Sequence, residues 1–329
     1  MKIFVTGATG FLGRTIAPRL IDAGHDLTLL ALPHEVVAET GVAVVRGDIT
    51  DPGSLRGKLS GHDAVVHLAG AVGYGQTFAR CNALNRDGTV NVAAAAVAEG
   101  VRRFVHMSSV SVYGRVPDVV LDEDAPLRKI GDPYGDTKID AELALSALSP
   151  RGELDLTMVR PTVIYGPGDD KFLPKLVENL RAGGVRIVGT GDNTVDLVHV
   201  NDAADFVALL LARPESIGRT YNLASPGNPT WKEFLREVAR LAGVAPPSGR
   251  LPYTVAYGLA GCMEAVASLR GSEPRLTRYA VRVVGRQYRY ATERARRELG
   301  FEPRVDLFTG VAGCMAGYLA GCAKQEEAR

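Results

Sequence analysis

Short apolar runs separated by longer amphipathic stretches set the rhythm of the first half of the chain. Residues 2–6 (KIFVT) read as a short buried strand, and GATGFLG leads from it into a helical pattern that runs through Asp22. Further apolar runs follow at 26–32 (DLTLLAL), 42–48 (VAVVRGD), 63–70 (DAVVHLAG), 103–109 (RFVHMSS) and 155–166 (DLTMVRPTVIYG). Helical stretches lie between them, notably at 86–98 and 133–148. Strands that alternate with helices predict parallel βαβ units, hence an α/β chain on a doubly wound parallel sheet. Beyond residue 166 the alternation loosens, with Gly and Pro clustered at 183–191, 226–229 and 243–252. The pattern predicts a sheet domain from residues 1–167 with 187–225. A smaller substrate-binding lobe with a C-terminal helix would come from 168–186 with 226–329.

Composition changes this picture little. The 329 residues are 46% hydrophobic and 23% charged, and 38 basic against 37 acidic residues leave no global field to recruit nucleic acid. Cys81, Cys262, Cys314 and Cys322 have neither metal-ligand nor disulfide-framework spacing, so reduced thiols in apolar surroundings and no metal site are expected. The first motif starts almost at Met1, with no leader pattern before it, which predicts a cytoplasmic protein. Two stretches, 251–263 and 307–323, carry no charge, and the second spaces Gly313, Gly317 and Gly321 four apart. Its 17 residues fall short of the roughly 20 that span a bilayer. Tight packing of a C-terminal helix is the expectation, and a peripheral membrane contact the alternative.

The glycine-rich turn is the first candidate for chemistry. Gly7, Gly10 and Gly13, with Thr9, Phe11 and Leu12 among them, join a strand to a helix. The first glycine permits a tight turn, and the second lets backbone N–H groups approach a pyrophosphate. The third allows close helix–strand packing, and the helix N-terminus stabilises the negative charge. The expected ligand is a dinucleotide, which makes the sheet Rossmann-type. Asp48 and Ile49 after the third strand could read adenine, and Leu68, Ala69 and Gly70 after the fourth could lie against ribose and phosphates. The second strand ends on Ala31 and Leu32, without the acid that holds a ribose 2′-hydroxyl. Arg14 or His34 could meet a 2′-phosphate. NAD and NADP both stay open, and the missing acid favours NADP.

GDPYGDTK (131–138) opens a helix, with Asp132 a good N-cap and Pro133 suited to the first position. Tyr134 and Lys138 then share a face, about 6 Å apart along the axis. A phenol beside an ammonium can exchange protons nearer neutral pH than a free tyrosine. SSVSVYG (108–114), after a predicted strand, brings hydroxyls to the same sheet edge.

Taken together, GATGFLG, DITD, HLAG, SSVSVYG, PYGDTK, RPTVIYGPG and VHVND resemble an extended short-chain dehydrogenase/reductase along nearly the whole chain. The resemblance implies a Ser109, Tyr134, Lys138 centre. Ser109 would hydrogen-bond the substrate oxygen, Tyr134 would be the acid/base, and Lys138 would hold the nicotinamide ribose and favour tyrosinate. It also implies that Pro161, Thr162 and Val163 border the nicotinamide, that Asn85 has a structural role, and that the protein is a homodimer.

Departures from the pattern argue the branch. Sugar-nucleotide 4,6-dehydratases carry an Asp-Glu pair directly after the catalytic hydroxyl; here stand Val110 and Ser111. Diphosphate contacts expected near Arg160 and in NTVDLVHV are replaced by Val163 and Val195, which would leave a diphosphate poorly compensated. GTGDNTVDLVHVND with RPTVIYGPGD resembles instead the 3β-hydroxysteroid dehydrogenase branch, including sterol-4-carboxylate 3-dehydrogenases. The expectation is an NAD(P)-dependent oxidoreductase for a lipophilic secondary alcohol or ketone, with Val72 and Ser111 touching the substrate. A nucleotide-sugar epimerase or reductase is the enzyme alternative. A non-catalytic dinucleotide sensor is the third reading.

Overall fold

Seven parallel strands form the central sheet: β1 (Lys2–Thr6), β2 (Asp26–Ala31), β3 (Ala43–Arg46), β4 (Ala64–His67), β5 (Arg103–Met107), β6 (Asp155–Pro161) and β7 (Arg219–Leu223). Their order is β7-β6-β5-β4-β1-β2-β3. Direction along the sheet reverses after β1, so β1 and β4 flank the switch point where ligands of such sheets bind. The computed structural model describes the chain except for residues 38–40, 73–75, 150, 226, 228, 271–275 and 328–329.

Every residue of β4 and β5 is buried, as a sheet covered on both faces requires. Helices α1 (Phe11–Asp22) and α4 (Val200–Ala212) cover one face through Ile16, Leu20, Phe206 and Leu210. On the other, α2 (Gly88–Ala98) and α3 (Pro133–Ser146) bring Val92, Ala96 and Leu145 against Phe4, Val65 and Phe104. The apolar run expected as one strand from 155 to 166 divides at Thr162. Pro161 ends β6, and Val163–Tyr165 pairs outside the sheet with Leu197–His199. The polar sequence of β7 concealed it from an apolar-run reading, although it pairs along its length with β6.

A second core lies between the helix Leu173–Arg181, the helix Trp231–Leu241 and α7 (Leu307–Glu327), built on Val177, Trp231, Phe234 and Val311. A third joins α5 (Tyr253–Arg270) to α6 (Arg278–Gly285) through Ala256, Ala260 and Val281. Residues after 226 do not all stay with these cores: Ala295 and Leu299 return to the sheet core. The Asp202 carboxylate accepts from Arg304 N at 2.8 Å and Val305 N at 3.2 Å, which ties that return to α4.

The glycine spacing in α7 does not mark its packed face. A Cβ on Gly313 or Gly317 would meet nothing within 4 Å, whereas one on Gly310 would stand 2.4 Å from the Tyr165 hydroxyl. The side chain positions of 320–329, with Gly321 and Cys322, lie outside the described residues. No helix among the described residues is long and apolar enough to cross a membrane. Cys81 and Cys314 are buried free thiols, but Cys262 is exposed on α5, against the expectation of apolar surroundings.

Candidate active site

The glycine turn after β1 has the shape a pyrophosphate needs. Gly7 adopts φ 70°, and a Cβ there would lie 2.6 Å from Ala69 N. At Gly13 a Cβ would lie 2.2 Å from Gly7 O, so the helix could not sit this close to the strand. Gly10 caps α1 with no side-chain bond, and the first turn has no acidic residue. Its N–H groups, from Phe11, Leu12 and Gly13, are therefore left for an anion, with partly buried Thr9 just before them. The residues present fit a dinucleotide.

The other expected loops stand next to this turn or near it. Leu68 N donates to Thr6 O at 3.2 Å and Ala69 N to the Thr6 hydroxyl at 3.4 Å, which fixes the end of β4 against β1. A Cβ on Gly70 would lie 2.8 Å from Asn85 Oδ1 and 3.5 Å from Lys138 Nζ. Glycine turn, β4 end and Lys138 are thus successive neighbours. Asp48 turns one carboxylate oxygen onto the Thr50 N–H and hydroxyl, both at 2.8 Å. The Ile49 side chain is core, packed in contact with Gly88, and its carbonyl accepts from Asn91 Nδ2 at 2.9 Å. Thr162 is buried with its N–H on Leu223 O at 2.9 Å, and Val163 beyond Pro161 is 44% exposed.

At the end of β2 the fold supplies charges that reading by position overlooked. Glu35 accepts from Leu32 N at 2.9 Å, and Arg46 from β3 donates to Leu32 O at 2.9 Å and Glu35 O at 2.7 Å. An acid therefore does stand at this strand end, three residues later than its expected place. That removes the ground on which NADP was favoured.

Helix α3 begins as its sequence predicts. Asp132 accepts from Gly135 N at 3.2 Å, and Asp136 accepts from Ile130 N and Gly131 N, both at 3.0 Å. This places Tyr134 and Lys138 on the face toward β5. Ser109, 7% exposed, follows β5 and opens a short 3₁₀ turn, Val110–Tyr113, accepting from Ser111 N at 3.1 Å. Its hydroxyl donates to Ser111 Oγ at 3.2 Å, and it lies near enough to the Tyr134 phenol to favour the phenolate. Ser108 is held elsewhere, donating to Glu142 at 2.5 Å. Glu142 takes both Arg160 Nε at 3.0 Å and a terminal nitrogen at 2.6 Å, and Arg160 also reaches the buried Tyr113 hydroxyl at 2.9 Å.

Burial pushes the Tyr134 phenol up to about 12, against the pull of the Ser109 hydrogen bond. Burial pulls Lys138 down to about 8, opposed by Glu142. Lys138 donates to Met107 O at 2.8 Å. The expected shift toward tyrosinate is therefore absent here. Desolvation dominates, and the ammonium is engaged with a backbone carbonyl, which leaves a protonated phenol at neutral pH. Asn85 sits in the π-helical turn Asn82–Asp87, accepting from Ala71 N at 2.7 Å and donating to the Thr137 hydroxyl at 3.2 Å.

The lobe side of the space was not legible in the sequence. Tyr279 of α6 stands near Tyr134, and the Arg115 guanidinium lies 3.9 Å from the Tyr279 ring centre. Val72 is 54% exposed and precedes residues outside the description. Val195, expected in place of a diphosphate contact, is fully buried in the second core, so it faces no ligand.

Residues 3–224 match the NAD dependent epimerase/dehydratase family. The 2-alkyl-3-oxoalkanoate reductase of Stenotrophomonas maltophilia is 31% identical over 94% of this chain and 97% of its own. A 4-hydroxy-2-methyl-3-oxo-4-farnesyl-3,4-dihydroquinoline-1-oxide ketoreductase of Stigmatella aurantiaca is 30% identical over 93% of each. Among solved structures, the dTDP-glucose 4,6-dehydratase DesIV of Streptomyces venezuelae, with NAD and TYD bound, has a TM-score of 0.79. Its identity is 26%, and 98% of each chain is covered.

Proposed function

The chain belongs to the NAD dependent epimerase/dehydratase family, and on that premise we propose that it interconverts a ketone and a secondary alcohol on a bulky apolar substrate, with NAD(P)(H). The observation that carries this reading is the gathering of Ser109, Tyr134 and buried Lys138 at the end of β5, where Lys138 donates to Met107 O at 2.8 Å and Ser109 favours the Tyr134 phenolate.

When bound, the reduced cofactor supplies a hydride. The α1 N-terminus would hold the pyrophosphate, and Lys138, beside Gly70, would hold the nicotinamide ribose. The Ser109 hydroxyl donates to the ketone oxygen and polarises the carbonyl. The Tyr134 phenol is placed to give that oxygen its proton, and with the hydride the cofactor would supply to the carbon, the C=O double bond would become C–H and O–H. Burial keeps the Tyr134 phenol protonated at neutral pH, so it carries the proton that the ketone oxygen takes up.

Substrate class follows from what surrounds the oxygen. Val110 and Ser111 replace the acid and base that water elimination needs, which argues against a dehydratase despite the structural likeness to one. Val163, exposed at the nicotinamide end, offers an apolar contact. Both relatives named above act on ketones, one beside alkyl groups and one beside a farnesyl group. The sterol-4-carboxylate reading and a 2-alkyl-3-oxo acid share one functional group: a ketone, a branched carbon and a carboxylate.

The test is oxidation of NADH or NADPH with three substrate classes. These are a 2-alkyl-3-oxo acid, a 3-ketosteroid, and a UDP- or dTDP-hexose. Turnover of either ketone class supports the proposal; turnover of the sugar nucleotides alone overturns it.

A further inference from the structure

Arg115 has no task in the mechanism above, yet its setting is unusual. It follows the Ser109–Gly114 turn directly, with left-handed backbone at φ 57°, an uncommon and strained conformation for a side-chain-bearing residue. Gly114 before it is also left-handed, and a Cβ there would lie 2.5 Å from Arg128 O, so the turn has no room to relax. The guanidinium is thereby held against the lobe. It lies over the Tyr279 ring, 3.9 Å from its centre. Tyr290, Asp132 and Tyr288 act on its charge as well. The turn that ends at Arg115 packs on the first turn of α3, where a Cβ on Gly135, beside Tyr134, would lie 2.9 Å from Ser111 O.

The guanidinium is incompletely paired. Arg115 Nε is buried and has no hydrogen-bond partner among the described residues. Burial raises Tyr279, Tyr288 and Tyr290, so all three are neutral phenols at pH 7. Asp132 uses one carboxylate oxygen to cap α3. A desolvated donor without a partner is costly, and an entering carboxylate matches the guanidinium fork.

We propose that Arg115 is the carboxylate-binding residue of the substrate pocket. The substrate is then a 3-oxo acid, held by its carboxylate on Arg115 and by its ketone oxygen on Ser109 and Tyr134. This rests on the ketone-reductase reading and adds to it a charged handle two carbons from the reacting centre.

The experiment runs in the oxidation direction with NAD(P)⁺. It compares a 2-alkyl-3-hydroxyalkanoic acid with its methyl ester for the wild-type chain, Arg115→Met and Arg115→Lys. One charge-assisted contact is worth about 1.5–3 kcal/mol, so wild type should prefer the acid at least about tenfold in kcat/KM. That preference should fall to about one in Arg115→Met and be partly kept in Arg115→Lys. A wild-type ratio near one overturns the inference while leaving the ketone-reductase reading intact, and needs no variant to fold. An unchanged ratio in Arg115→Met overturns it as well. Wild-type turnover of neither compound overturns the reading for this substrate class and the inference with it.

Discussion

Ser108 gives its hydroxyl to Glu142 at 2.5 Å, while Ser109 beside it acts on the Tyr134 phenol. Two serines at one strand end thus serve different purposes, because successive side chains of an extended segment point to opposite sides. Ser109→Ala and Tyr134→Phe should each lower kcat by about 10²–10⁴, the range of a positioned acid–base group. Dinucleotide binding, followed by thermal shift, should be retained in both. Ser108→Ala should leave kcat within a few-fold and lower the melting temperature, because Glu142 loses a partner.

Lys138 is a destabilising residue retained beside the candidate chemistry. Its fall from the ordinary 10.5 to about 8 corresponds to about 3 kcal/mol disfavouring the charged form. Below pH 8 both folded and unfolded chains carry the proton, so this penalty is fully present. Between about 8 and 10.5 only the unfolded chain carries it, and the contribution to stability rises with pH. Lys138→Met should therefore melt above wild type at pH 7, by a margin that shrinks toward pH 10. Its turnover should be lost. A margin that widens with pH would refute the assignment.

Much of this site was legible because its chemistry depends on local sequence. Gly7 and Gly13 are glycines for steric reasons that any strand–turn–helix of this type imposes, and Asp132-Pro133 announces the start of α3. Features made by distant segments were not legible. Arg160 meets Glu142 and Tyr113 only after β6 is laid beside β5 and α3 packs across them. Glu35 and Arg46 gather at the end of β2 because β3 pairs with it. Arg115 joins Tyr279 from a segment more than a hundred residues later. β7 was missed because Arg219, Thr220 and Asn222 break the apolar run, although the sheet buries most of the strand.

The end of β2 should set phosphate preference. Arg46 presents a guanidinium and Glu35 a carboxylate at the strand end where the adenosine ribose of such folds is read. Arg46→Ala should lower kcat/KM for NADPH relative to NADH, and Glu35→Gln should shift the ratio toward NADPH. The check is the ratio of the two cofactors in each variant, with one ketone substrate. If both ratios stay at the wild-type value, another residue reads the 2′ position.

The Arg160–Glu142 pair should behave as structure and not as chemistry. Both side chains are almost wholly buried, at 6% and 2% exposure, with a contact of 2.6 Å. Burial alone would lower the Arg160 pKa, but the Glu142 hydrogen bond and charge outweigh it and hold the guanidinium well above its ordinary range. The network reaches Ser108 on one side and Tyr113 on the other, and Tyr113 donates to Asn222 of β7 at 2.7 Å. Removing one partner strands the other charge in a low-dielectric interior, so Arg160→Leu or Glu142→Leu alone should cost about 3–5 kcal/mol in denaturant unfolding. Replacing both together with apolar residues of similar volume should cost less than the sum, because no unpaired charge remains. The double variant should also keep measurable turnover, since neither residue touches Ser109 or Tyr134. If the single losses simply add, the two side chains are not coupled, and β5, β6 and α3 are held together by their apolar contacts alone.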